Sequence, residues 1–238
     1  MQLPKIQYPT FTINIPPNNK AVAFRPMLVR EEKLLLMAKQ NEDPTLILST
    51  IKQVINNCSL DQSFMVDQIP LFALEYVFIQ LRAASVGNEI EVAYTDFEDE
   101  QTRQFKINLK DITIKYQDPA PAHTIAITPH SGLVMKYPPA ALYEDKDFLS
   151  AEGEEAFYAL IIKCIDQVYD QDNVYNGQDF KQEDLAEFIE LLDIASFDKI
   201  RNFMGNLPTL YYKISYKNIN GDTRDIELTT LSDFFTLR

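Results

Sequence analysis

The stretch Ile69-Pro70-Leu71-Phe72-Ala73-Leu74-Glu75-Tyr76-Val77-Phe78-Ile79-Gln80-Leu81-Arg82-Ala83-Ala84-Ser85-Val86-Gly87, running on into Asn88-Glu89-Ile90-Glu91-Val92-Ala93-Tyr94, decides the fold class. Its first part predicts a helix over 70–84, opened by a proline and stopped near Gly87. Leu71, Phe72, Leu74, Val77, Phe78, Ile79 and Leu81 leave that helix little polar surface. A helix apolar on most sides is buried between other elements or in an interface. From Glu89 the period changes to that of a strand, with Ile90, Val92 and Tyr94 alternating. Helix and antiparallel strand patterns following one another in this way predict an α+β fold.

Upstream, Phe11, Ile13 and Ile15 alternate with polar residues, Pro16-Pro17-Asn18-Asn19 breaks the run, and Ala21 to Phe24 returns. Residues 7–25 therefore read as an N-terminal β-hairpin. A helix is predicted over 29–39. A second opens at Asp43-Pro44, an N-cap followed by proline, and carries Ile47, Leu48, Ile51, Val54, Ile55 and Cys58 on one face.

Downstream, the alternating groups between Glu89 and Tyr137 predict a small antiparallel meander, with turns at Asp118-Pro119-Ala120-Pro121 and Pro129-His130-Ser131-Gly132. Residues 138–205 read as an acidic helical segment. Ser150 caps a helix bearing Phe157, Leu160, Ile161, Cys164, Ile165 and Val168. Asp179 with Gln182 forms a capping box for a helix over 181–192, and Ser196 caps the last one. The chain ends in a C-terminal β-hairpin. A three-residue loop, Ile219-Asn220-Gly221, with glycine in the left-handed position, sets Ile214 opposite Ile226, Tyr212 opposite Leu228 and Lys213 opposite Glu227. Two regions are expected: 1–138, holding the hairpin, three helices and antiparallel strands, and 139–238, the acidic helices closed by the C-terminal hairpin.

Charge limits the partners. Of 238 residues, 22 are basic and 35 acidic, a net charge of −13. Nucleic-acid binding, which draws its affinity from phosphate contacts, is not expected. No apolar run approaches the ~20 residues of a membrane helix, and the N-terminus lacks the apolar run of a signal peptide. The expectation is a cytoplasmic protein with Cys58 and Cys164 reduced and buried. The acidity is local: Glu144 to Asp198 holds 16 acidic and 3 basic residues, and the remainder holds 19 of each. Two readings fit this run, a solvated face that keeps the chain soluble and a docking surface for a basic partner.

Catalytic chemistry is hard to find. His123 and His130 flank a proline-rich turn and cannot by themselves make a metal site. His130-Ser131-Gly132 is a turn tripeptide with no third partner in view, and the six glycines form no phosphate-cradling loop. No cofactor is expected. A calcium candidate runs from Asp172 to Glu183, with Asp172, Asn176 and Glu183 at ligand positions and Gly177 at the turn; Val174 occupies a position that needs an oxygen.

Two stretches go beyond generic patterning. One is Leu3-Pro4-Lys5-Ile6 with Tyr8-Pro9-Thr10-Phe11, followed by Phe24-Arg25-Pro26-Met27-Leu28-Val29-Arg30-Glu31-Glu32-Lys33-Leu34-Leu35-Leu36-Met37-Ala38. The other is the Ile69–Gly87 stretch quoted above. Together they resemble the baseplate hub family of T4-like contractile-tailed bacteriophages, over residues 3–87 and through the strands to about residue 116. The acidic half lies outside the resemblance.

The resemblance implies a non-enzymatic protein of the tail baseplate, either a hub subunit or an assembly factor absent from the finished particle. It would be found in the host cytoplasm during assembly or in the virion tail. Its partners would be other hub or tail proteins. The residues expected to face partners are Phe24, Arg25, Arg30, Glu31, Phe72 and Tyr76 in the family-like part, and Glu154, Glu155, Asp184 and Glu187 in the acidic part, where a basic partner surface would dock. The third reading, unrelated to phage, is an acidic calcium-responsive binding module.

Overall fold

Alternation along the first strands places Ile13, Ile15, Val22 and Phe24 in the interior. β1 (Phe11–Ile15) and β2 (Lys20–Phe24) pair antiparallel, with Phe11 opposite Phe24 and Ile13 opposite Val22. This is the predicted N-terminal hairpin, seen in a computed structural model that describes residues 7–41, 43–145, 148–149 and 151–234. Leu3 to Ile6 and Ser150, used in the sequence reading, lie outside the described residues.

Three helices follow: α1 (Val29–Gln40), α2 (Pro44–Cys58) and α3 (Leu71–Val86). The Asp43 carboxylate accepts from the amide and the hydroxyl of Thr45, which caps α2 as predicted. Ile51, Val54, Ile55 and Cys58 are fully enclosed. α3 follows Pro70 and ends at Gly87, whose φ of 142° suits glycine. It buries Phe72, Ala73, Leu74, Val77, Phe78, Ile79, Leu81 and Ala83, so its apolar surround is spent on its own fold.

The strand region departs from the single meander predicted over 89–137. β3 (Glu89–Thr95) and β4 (Thr102–Asn108) form a separate two-stranded sheet. β5 (Thr113–Lys115) turns elsewhere, and β6 (Thr124–Thr128) and β7 (Ser131–Met135) belong to a third sheet. A 3-10 turn, Leu109–Asp111, separates β4 from β5, the proline-rich stretch 118–121 separates β5 from β6, and more distant strands pair with β5 and β7.

The acidic segment is not all helical either. α4 (Gly153–Lys163) ends before Cys164, and Ile165–Tyr169 is a strand, β8. β8 pairs with β7 on one side, setting Val168 opposite Leu133, and with β9 (Val174–Asn176) on the other. Ile165, Val168 and Tyr169 are good strand formers, and β7 offers them an edge. α5 (Gln182–Glu190) begins after Lys181 with no side-chain cap, and Asp179 lies in a 3-10 turn, so the predicted capping box does not form. The cap of α6 (Ile194–Gly205) is Asp193, which accepts the Ser196 amide at 2.6 Å; Ser196 itself lies inside the helix.

The C-terminal hairpin takes the predicted register. β10 (Thr209–Lys217) and β11 (Thr223–Leu228) set Ile214 opposite Ile226, Tyr212 opposite Leu228 and Lys213 opposite Glu227. Gly221 holds the left-handed position at φ 86°. The short helix α7 (Leu231–Phe234) follows. β10 also pairs with β5, with Leu210 opposite Ile114. The hairpin therefore belongs with the N-terminal elements rather than with the acidic helices.

The chain is α+β and divides into two compact units. One is Met1–Lys115 with Thr209–Arg238, and the other is Tyr116–Pro208. These boundaries differ from the expected 1–138 and 139–238 because the β5–β10 ladder draws the C-terminus back. The first unit packs Ile79, Ile90, Ile107, Leu210, Ile214 and Phe234 into one cluster. The second packs Leu133, Met135, Ile161, Ile165, Ile200 and Phe203.

Candidate interaction sites

The junction of β2 and α1 is built around Glu31, whose side chain is 0% exposed. Arg25 donates to its Oε1 at 2.9 Å, Arg30 Nε to the same oxygen at 2.7 Å, and the Leu28 amide to Oε2 at 2.8 Å. Burial pushes the Glu31 carboxyl up, but these donors outweigh it and hold the group down at about 2. Arg25 also donates to the Pro26 and Asn57 carbonyls, at 2.9 and 2.7 Å. Pro26 turns the chain between strand and helix, and the Arg25–Glu31 pair holds that turn to the end of α2. Arg25 and Glu31 are thus committed to the fold, while the Arg30 side chain remains largely exposed.

Phe24 is enclosed between Phe11 and Phe64, with ring centroids 6.4 and 5.8 Å away. Phe72 is buried and Tyr76 packs against the core of the first unit. Of the residues expected to face partners in this unit, Arg30 is the one the structure leaves open to solvent.

In the second unit Glu154 and Glu155 stand exposed in the first turn of α4, and Asp184 and Glu187 stand exposed on α5. First-turn carboxylates complement the helix dipole, so part of this acidity serves the helices themselves. The calcium candidate loses its frame. Asp172 lies in the β8–β9 turn, Asn176 closes β9 and donates to Asp179, and Glu183 sits in the first turn of α5. The helix on the N-terminal side that such a loop needs is a strand. Among the described residues no group of three His, Cys, Asp or Glu is arranged to hold a metal.

His123 is a packing residue: Nδ1 lies 2.7 Å from the Met135 carbonyl, and its ring meets Tyr137 and Phe203 edge-on. Cys58 and Cys164 are both buried and unbridged, as expected. Burial pushes their thiols up, to about 11 and about 12, which makes them poor nucleophiles. Among the described residues no helix is long and apolar enough to cross a membrane.

One feature escaped the sequence reading. The turn joining β3 and β4, Asp96-Phe97-Glu98-Asp99-Glu100-Gln101, presents Phe97 at 89% exposure. The turn joining β10 and β11 presents Ile219 at 70%. The signal was an aromatic residue inside an acidic turn between two alternating strands, where solvation alone would favour a polar residue.

Both units fall within one family. The chain matches the family described as T4 bacteriophage base plate protein over residues 8–236, and it belongs to that family. The match takes in the acidic segment, which the resemblance noted from sequence had left out. No curated protein and no solved structure matches the chain.

Proposed function

We propose that this chain helps to build the central hub of a phage tail baseplate, working through protein–protein contacts and without catalysis. The observation that carries the reading is the family match across residues 8–236, which spans both units. The surfaces are consistent with it. Arg30, Glu154, Glu155, Asp184 and Glu187 are the exposed charged positions offered to other hub or tail proteins. The burial of both cysteines and the packing of His123 against Tyr137 and Phe203 support the non-catalytic part of the reading.

A second reading, a hub assembly factor absent from the finished particle, is favoured by one specific feature. Residues 144–198 carry the whole net charge of −13. Such a surface would shield a basic face of a partner until assembly, and its grip would weaken as salt rises, because exposed charge is screened. Mass spectrometry of purified particles beside infected-cell lysate separates the two. A stoichiometric presence in the particle makes the chain a hub subunit. Abundance in the lysate with absence from the particle makes it an assembly factor. Absence from particles and from every baseplate intermediate overturns both.

A further inference from the structure

We infer that the paired turns at 96–101 and 218–222 form a preorganised docking knob anchored by Phe97, and that it fits an apolar pocket with a basic rim on another baseplate protein. The inference rests on the proposed role of the chain in baseplate building.

Isolated exposed apolar side chains are ordinary on protein surfaces. Phe97 differs in how firmly its backbone is held. On one side of it, the Asp96 carboxylate accepts the Glu98 amide at 2.9 Å and the Tyr216 hydroxyl at 2.6 Å. On the other, Asp99 accepts the Gln101 amide at 3.0 Å and the Ile219 amide at 3.2 Å. Arg103 pairs with Asp99 and lies 5.1 Å over the Tyr216 ring. Arg224 of β11 pairs with Glu98. The two turns are therefore fastened together by side chains from both hairpins. Glu100, at φ 55°, sits in the left-handed region that a residue other than glycine occupies at a cost. The surrounding bonds hold it there.

None of these bonds uses the Phe97 side chain. Asp96 and Asp99 shape the turn, and a polar residue at 97 would serve it equally well. A large aromatic group displayed on a fixed backbone has little freedom left to lose on docking, since Phe has only two side-chain torsions. Ile219, on the companion turn, adds a second apolar group to the same tip.

The charge around the tip selects the occupant. Glu98, Glu100 and Asp222 stand exposed at the tip, while Asp96 and Asp99 are enclosed in the turn and Arg103 and Arg224 are engaged by Asp99 and Glu98. Two copies meeting tip to tip would repel. A pocket rimmed by Lys or Arg would be attracted and oriented.

The test uses the purified full chain and each of the other baseplate proteins of the same phage, expressed and purified singly, in titration calorimetry. Phe97→Ser should weaken binding to one of them roughly thirtyfold or more, the scale of an interface hot spot. Its melting temperature should match that of the wild type. Phe97→Tyr should retain most of the affinity, and Glu100→Lys should weaken it. Equal binding by wild type and Phe97→Ser overturns the inference and leaves the proposed function standing. Failure of the wild type to bind any baseplate protein overturns the proposed function itself. If sedimentation shows self-association that Phe97→Ser abolishes, the occupant is a second copy, and the basic-rimmed partner is wrong.

Discussion

Replacing Glu75 by Gln should stabilise the first unit, and only above mildly acidic pH. Glu75 is the sole carboxylate on α3. Burial pushes its carboxyl from the ordinary 4.5 up to about 7, and the Leu231 amide, donating to the carboxylate, pulls more weakly the other way. The folded chain therefore holds a proton that the unfolded chain releases between pH 4.5 and 7. In that window the stability of the wild type falls as pH rises, and above it the loss is complete. At about 1.4 kcal/mol per unit, the displacement is worth roughly 3 kcal/mol. Glutamine keeps the shape and carries no charge. The variant should thus match the wild type near pH 4.5 and exceed it by about that amount at pH 8. The chain has no tryptophan, so denaturant unfolding followed by far-ultraviolet circular dichroism at several pH values is the suitable assay. A stability difference that stays constant from pH 4.5 to 8, or a variant weaker than the wild type at pH 8, would refute the reasoning.

Glu31→Gln should act with the opposite sign. Its carboxyl is held at about 2 by Arg25, Arg30 and the Leu28 amide against the opposing effect of burial. Its contribution is therefore present above pH 4.5 and is lost as pH falls toward 2. The variant should cost roughly 3 kcal/mol at pH 7, and the gap should close in acid unfolding curves. Gly132→Ala should destabilise the second unit by about 1–3 kcal/mol, because a Cβ there would collide with the Ile125 carbonyl oxygen and the Tyr169 ring; thermal melts will read the loss. Cys58 and Cys164, buried and with raised thiol pKa values, should resist a disulfide-exchange reagent at pH 8 in the native chain, and both should react after unfolding.

Local signals carried the readable parts of the fold. Asp43-Pro44, Pro70 and Gly87 mark helix ends by chemistry that acts within one turn. The Ile219-Asn220-Gly221 loop fixes the C-terminal register because one glycine must take a positive φ. What sequence did not reveal depends on distant contacts. Cys164, Ile165 and Val168 continue the helical spacing of Phe157 and Ile161, yet β7 claims Ile165 and Val168 as a strand. Nothing between residues 116 and 208 announces that β10 will return to β5. Several residues expected to face partners are buried in the fold for a related reason. Phe24, Phe72 and Glu31 look available in a linear reading, and burial is decided by elements that meet them only in the folded chain. Glu154, Glu155, Asp184 and Glu187, read from a charge run, are where a charge run belongs, on exposed helical faces.

The most direct test of the account is electron microscopy of lysates from the phage that encodes this chain, with its reading frame interrupted by a stop codon. The account predicts that complete baseplates are missing, that DNA-filled heads accumulate without tails, and that supplying the chain in trans restores them. Normal tailed, infectious particles in the absence of the chain would contradict it.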